Sequence, residues 1–423
     1  MIKYENVSSG YLGVESSNST LNSQYYRLLF KEIKSKPELL EEIIIFPQRI
    51  PRAGFFKEIC SIEEANYKKC FDEMVENIIA NHKNALHLLT EKNQEKDVRC
   101  YINWSNILLR YGCFEQVINH FPINYIGPYA LEVELIKETA KIELLLSQDK
   151  PIGIDEQLEL VERFIDRDDI SDREKIILLN QIVVHHYRHQ RKSKNDFKVF
   201  SLSKLLLDLI MKFEDNKFIN TFLCSVSYRG LAMASDFGYD LQESFLNKAE
   251  ELARNIQCKT EVEKIAAADN LFTCLQTISK WNMHNNKIST AEKYMKEMIE
   301  IDPYDSTGHS EIGFLYVNTE NYENAAYHFM KAMELGPPGS GMNTYYYAKC
   351  LERLGREKEA ITYLYEATKL DEEGLSPWLD LMNYFIDKKN QDKASQIANH
   401  IFNTPILFEQ LEDDETKLIH AHI

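Results

Sequence analysis

The densest run of chemically able side chains is His185, His186, Arg188 and His189, followed by Arg191, Lys192 and Lys194. His185 and His189 stand four residues apart, so on a helix they share a face. With a carboxylate from elsewhere they could hold a metal ion through their imidazole nitrogens. The same run also reads as the basic end of a helix, where cations complement the dipole, with Ser193-Lys194-Asn195-Asp196 as the following turn. A basic patch for an acidic partner is a third reading. The expectation is no bound metal, with His185 and His189 as the only candidate ligands, and no cofactor. No glycine-rich phosphate loop, GxSxG turn or HExxH motif occurs. The many carboxylates lie on amphipathic patterns, where they form the wet face, so no catalytic residue is nominated.

Composition narrows the classes further. The 423 residues carry a net charge of −17, with 44% hydrophobic and 27% charged residues. That acidity argues against binding nucleic acid or an anionic membrane surface, both of which need a basic field, and favours basic or neutral partners. The start has no apolar run behind a basic cluster, and Ile43-Ile44-Ile45-Phe46 is far too short to span a bilayer. The eight cysteines form no CxxC pair. They read as reduced thiols of a cytoplasmic protein, which leaves the acceptor patterns at Asn6 and Asn18 without meaning.

The elements that would position any site are announced by four alanines. Ala291, Ala325, Ala360 and Ala394 follow at steps of 34, 35 and 34 residues. A period of that size marks a helical hairpin repeated in series. The segments run about 272–305, 306–339, 341–374 and 375–408. The second reads Gly313, Tyr316, Tyr322, Ala325, Phe329, Ala332 and Pro337, at positions 8, 11, 17, 20, 24, 27 and 32 of its frame. The third gives Ala348, Leu351, Ala360, Leu364 and Ala367, and the fourth Trp378, Leu381, Phe385, Ala394, Ala398 and Ile401. The first gives Leu275, Ile278, Ala291, Met295, Met298 and Pro303. The extra residue before the third segment falls in the turn-forming run Pro337-Pro338-Gly339-Ser340-Gly341. Small residues at positions 8 and 20 let two helices approach closely, and proline near position 32 ends the second helix. This pattern resembles the tetratricopeptide repeat family. The first segment departs from it, with Ser279 at position 8 and Asn282 at position 11.

The rest of the chain is helical in pattern but less regular. Residues 1–24 read as an irregular arm, and 25–260 as an irregular or degenerate repeat-like region, interrupted by a loop at 47–56. Ser61-Ile62-Glu63-Glu64 fits a capped helix start. Trp104, Ile107, Leu108 and Tyr111, then Phe114 and Val117, resemble a degenerate hairpin ending at Pro122, as do Gly230, Ala232, Ala234, Ala249 and Ala253. Helices are expected at about 127–147, 155–166, 172–190, 197–213, 216–237 and 240–257. Four repeats occupy 261–408, and the acidic 409–423 forms a cap or tail. No stretch sustains period-two alternation. The expected fold is all-α, a right-handed α-solenoid of helical hairpins. The joining of irregular N-terminal helices to regular repeats is similar in architecture to Rap-like peptide receptors.

The family resemblance implies a binding surface on the first helix of each hairpin, with contacts mostly at positions 2, 5, 9, 12 and 13. Carried over, these are Gln276, Lys280 and His284; Ser310, Phe314 and Asn318; Tyr345, Lys349 and Arg353; and Leu379, Asn383 and Asp387. Lysine and arginine suit a ligand carboxylate, and asparagine suits a peptide backbone. Gln276 and Lys280 at the first two clamp positions do not match the chaperone-binding subclass. Three functions follow. The first is a cytoplasmic adaptor or regulatory receptor that binds a peptide or protein segment. The second is an enzyme or enzyme partner with chemistry before residue 261. The third is a scaffold or homodimer built through the N-terminal helices.

Overall fold

The computed structural model describes residues 76 to 422 apart from short breaks, the longest at 147–153, 190–195 and 336–339. The arm at 1–24, the 47–56 loop and the helix start at Ser61 lie outside the described residues. All regular structure among the described residues is helical. They fall into two compact units that part after Pro303.

The first unit runs through α1 (79–91), α2 (Glu95–Arg110), α3 (Phe114–Asn119), α4 (Ala130–Leu146), α5 (Ile154–Ile165), α6 (Asp172–His189), α7 (Asp196–Phe213), α8 (Phe218–Leu231), α9 (Tyr239–Asn255), α10 (Glu261–His284) and α11 (Ile288–Ile301). Consecutive helices pack on one another, and α8 also touches α6 and α10. One core joins Phe164, Ile176, Leu179, Leu206, Ile210, Phe245 and Leu246. Trp104, Tyr101 and Phe114 are fully buried on the preceding helices α2 and α3. Gly230 shows why a small residue stands there: an added Cβ would lie 2.7 Å from Asn180 Oδ1 and 2.9 Å from Val184 Cγ2. Helix α8 stops earlier than the expected 237. Ala232 and Met233 form a turn instead, and Gly238, at φ +76°, opens α9.

The second unit comprises α12 (Ser306–Asn318), α13 (Tyr322–Leu335), α14 (Ser340–Arg353), α15 (Glu357–Leu370), α16 (Leu375–Asp387), α17 (Gln391–Asn403), α18 (Pro405–Phe408) and α19 (Asp413–His420). Each helix from α12 to α17 packs on the next, so the unit is a run of stacked hairpins, an all-α solenoid. The small residues act as their spacing implied. A Cβ on Gly313 would sit 2.8 Å from the Phe329 ring, so the two backbones of that hairpin close only over glycine. Ala325, Ala360 and Ala394 are buried between helices, and so is Ala291 in the first unit. Burying Phe329 completely contributes about 2–3 kcal/mol. At the end of the chain α19 packs on α17 through buried Ile419 and begins with a capping box between Glu412 and Glu415.

The two departures of the first repeat have a local explanation. Ser279 and Asn282 are both buried, yet neither is unsatisfied. Ser279 Oγ donates to the carbonyl of Gln276 at 2.9 Å, and Asn282 Nδ2 to that of Ile278 at 2.8 Å. Each polar side chain folds back on its own helix, which lets it occupy an apolar position.

Candidate functional site

The hairpin turns set the register of the first helices. Asn286, Glu320, Gly355 and Lys389 all have φ between +57° and +76°, and they stand 34, 35 and 34 residues apart. One residue later an amide donates to a carbonyl five residues back, at 2.8 Å in every case: Lys287 to Asn282, Asn321 to Tyr316, Arg356 to Leu351 and Asn390 to Phe385. This is the left-handed helix ending that satisfies the last carbonyls. Only one of the four residues is glycine, so the turn carries no simple sequence mark.

From these turns the first helices of the second unit run back through the expected contact positions. In α14 one face carries Met342, Glu352 and Arg353, which are exposed, and Tyr345 and Lys349, which are half-buried. Met342 is 42% exposed and was not among the expected contacts, although it holds position 2 of its repeat. In α16 Asn383 and Asp387 are exposed and Leu379 is half-buried. In α12 Asn318 is exposed. Phe314 is half-buried, edge-on to Phe329 and Tyr346. Ser310 is buried. Its Oγ lies 2.7 Å from Asn343 Oδ1 and 3.0 Å from the carbonyl of Ser306, and Asn343 Nδ2 has no partner. One hydroxyl proton cannot serve both oxygens. With the Asn343 amide turned over, Nδ2 donates to Ser310 Oγ, whose proton goes on to Ser306. Ser310 thus joins α12 to α14 beneath the surface.

A second link joins α14 to α16, and it is charged. Tyr345 Oη donates to Asp380 Oδ2 at 3.0 Å, and Lys349 Nζ donates to the same oxygen at 3.0 Å. Lys349 also pairs with Glu352 at 2.7 Å. Burial pulls the Lys349 ammonium down, but its bonds to Glu352 and Asp380 outweigh this and hold it above the ordinary lysine value. Burial and the Asp380 charge push the Tyr345 phenol up. Lys349 is therefore already neutralised within the protein. Arg353 is exposed and makes no ion pair among the described residues. Asp380 was not expected here: it holds position 6, which the resemblance does not mark.

The remaining expected contacts belong to the first unit. Gln276 is half-buried on α10, and Lys280 and His284 are exposed. Helix α6 runs through His185 and His189, whose side chains lie outside the described residues. His186 between them is buried, edge-on to Tyr187. Among the described residues no three His, Cys, Asp or Glu side chains are grouped to share a metal ion. One histidine pair does form, between the two helices of the second repeat. His309 Nδ1 and His328 Nδ1 lie 3.0 Å apart, and burial holds His309 down at about 4.

Residues 345–373 match the family model described as the tetratricopeptide repeat. Among curated proteins, none matches the chain in sequence. Several solved structures resemble it in shape at low identity. One is a signal transduction ATPase with numerous domains, bearing a tetratricopeptide repeat sensor, from Pyrococcus horikoshii. It shares 14% identity at a TM-score of 0.49, over 96% of this chain and 56% of that one, so the present chain spans little more than half its length. A second is the apo form of RapI, with 10% identity and a TM-score of 0.46 over 82% and 97% of the two chains. A third is yeast Tom70, with 14% identity and a TM-score of 0.42 over 94% and 84%. The repeated turn, the buried alanine ladder and the matched segment identify the C-terminal hairpins of this all-α chain as tetratricopeptide-type repeats.

Proposed function

We propose that the chain binds an extended segment of a protein partner across the first helices of its second unit, α12, α14 and α16, as an adaptor or regulatory receptor. The observation that carries this is the part-exposed face of α14. A methionine and an arginine lie open there, while the neighbouring tyrosine and lysine are tied down by Asp380. Exposed Asn318 and Asn383 hold the matching edge of α12 and α16 and can bond a peptide backbone on both its donor and acceptor groups. The net charge of −17 favours a partner that is neutral or basic overall rather than nucleic acid. The six described cysteines are free thiols, five of them buried, in keeping with a cytoplasmic location.

The test is a random dodecapeptide library selected on the full chain, followed by anisotropy titration of the synthesised winners. Replacing Asn318 and Asn383 together by alanine is expected to weaken binding about 5- to 30-fold, since each lost hydrogen bond is worth roughly 0.5–1 kcal/mol. A substitution on the outer helix α15, Thr362→Arg, is expected to change nothing. Winners that ignore the asparagine changes and respond to Thr362→Arg would overturn the reading.

A further inference from the structure

The charges open to a ligand on this face are fewer than the sequence suggests, and they are ordered. Lys349, Glu352 and Asp380 satisfy one another. Arg353 and Asp387 remain. Both are exposed, and neither makes an ion pair among the described residues. They end α14 and α16 and hold the same position, 13, of successive repeats. Their electrostatic settings differ. Arg353 sits at the C-terminal end of its helix, where the dipole welcomes a cation. Asp387 sits at the same end of α16, where an acid is disfavoured, and the last turn of that helix has no basic residue. The neighbouring Lys388 directs its ammonium to Glu357 on α15, at 2.8 Å. An acid so placed gains most from a cation that arrives from outside.

We infer that the bound segment carries an acidic and a basic side chain two or four residues apart, an even spacing that points both to one edge, the acid meeting Arg353 and the base meeting Asp387. This rests on the proposed groove. Arg353 and Asp387 stand on successive first helices that are joined through Tyr345, Lys349 and Asp380, and an extended chain advances about 3.3 Å per residue, so two or four residues cover about 7 or 13 Å. Side chains of an extended segment alternate in direction, so a residue between the two charges points to the opposite edge. There Met342 and Leu379 offer apolar surface, and the intervening residue is apolar. The order of the two charges along the ligand follows its running direction.

The experiment compares the random dodecapeptide library selected on the wild-type chain with the same library selected on Arg353→Glu/Asp387→Lys, both checked for helicity. The wild type is expected to enrich one acid–base order at a spacing of two or four residues, and the reversed variant the opposite order. Each consensus peptide is expected to bind the other protein at least about fivefold more weakly, with the difference shrinking as salt rises. A wild-type consensus without paired charges, or the same consensus from both proteins, overturns the inference. If that consensus still weakens with Asn318→Ala/Asn383→Ala, the groove stands and only the charge pattern falls. If it is indifferent to both sets of changes, the groove falls as well.

Discussion

Successive first helices are tied by buried neutral contacts in both units, Ser310 with Asn343 serving α12 and α14, and in the second by a charged contact as well. In the first, Asn270 on α10 donates through Nδ2 to Ser225 on α8 at 3.0 Å, and Ser225 donates to the carbonyl of Ala249 at 2.9 Å. All of it is buried and neutral. In the second, the tie from α14 to α16 is Asp380 with Tyr345 and Lys349, and Lys349 keeps 32% of its side chain in solvent. A neutral buried tie fixes geometry and is invisible at the surface. A charged, half-exposed one fixes geometry and also decides which charges a ligand meets. The same structural task therefore shapes the binding face only in the second unit.

The sharpest way to break this comparison is to ask whether the units hold together separately. Trp104→Ala opens a cavity on α2 in the first unit and Phe329→Ala one in the second repeat; both side chains are fully buried. Each is expected to cost about 3–5 kcal/mol. Hydrogen exchange followed by mass spectrometry should show lost protection before Pro303 for the first variant and after it for the second. Loss over the whole chain from either one would merge the two units.

Acid should weaken the first unit through His82 and strengthen it through Glu132, whose carboxyl is pushed up to about 7 by burial and by Glu174. His82 is buried; its Nε2 donates to Ser105 Oγ at 2.9 Å, because the Ser105 proton goes to the carbonyl of Tyr101. Nδ1 is left with a lone pair and no partner. Burial, helped by His120, holds His82 down at about 3. A depressed histidine value means the unfolded chain takes up the proton first. The His82 contribution is complete above about pH 6.5 and is lost as pH falls from there toward 3. At pH 5 the loss is on the order of 2 kcal/mol. Urea unfolding at pH 7 and pH 5 should show it as a pH-dependent component of stability present in the wild type and missing from His82→Gln, which cannot titrate. An equal fall in both proteins would place the acid sensitivity elsewhere, with His309 in the second unit as the next group to change.

The ties themselves give smaller effects of different character. Ser225→Ala strands Asn270 and is expected to cost about 1–3 kcal/mol at any salt concentration. Lys349→Met removes one arm of the charged tie and is expected to cost about 1 kcal/mol in dilute buffer and less at 1 M salt, because the pair is partly screened. Arg353→Gln should leave stability within about 0.5 kcal/mol. Matching salt dependence for Ser225→Ala and Lys349→Met would remove the distinction between the units.

The architecture was legible because packing acts through residue size. Ala325, Gly313 and Phe329 declare a close helix pair whatever surrounds them. The candidate contacts were legible only by position, because position says which way a side chain points and nothing of what waits there. Lys349 read as a ligand for a carboxylate, yet the protein supplies that carboxylate itself, from Asp380 one repeat away. Ser310 read as a surface hydroxyl and is spent on Asn343. Met342 holds position 2 of its repeat and is exposed, although it was not among the carried-over contacts. Side chains that bond across repeats are set by pairs of distant residues, and a spacing rule that treats each repeat alone cannot see them.

The repeated turn offers the finest test, since one backbone shape is met by four residue types. Gly355 takes φ +76° without strain, whereas Glu320 and Lys389 take +57° with a Cβ that crowds the following carbonyl. Gly355→Ala imports that crowding, and the glycine has nothing within 4 Å of an added Cβ, so packing does not confuse the measurement. It is expected to cost about 1 kcal/mol. Lys389→Gly relieves the crowding but loosens the unfolded chain, and the balance should be a gain of no more than about 1 kcal/mol. Asn286→Gly in the first unit should give less, because asparagine already tolerates this region. Thermal unfolding of the three variants would rank them. A loss from Lys389→Gly as large as that from Gly355→Ala would mean that the side chain at the turn, and not its backbone, is what each hairpin requires.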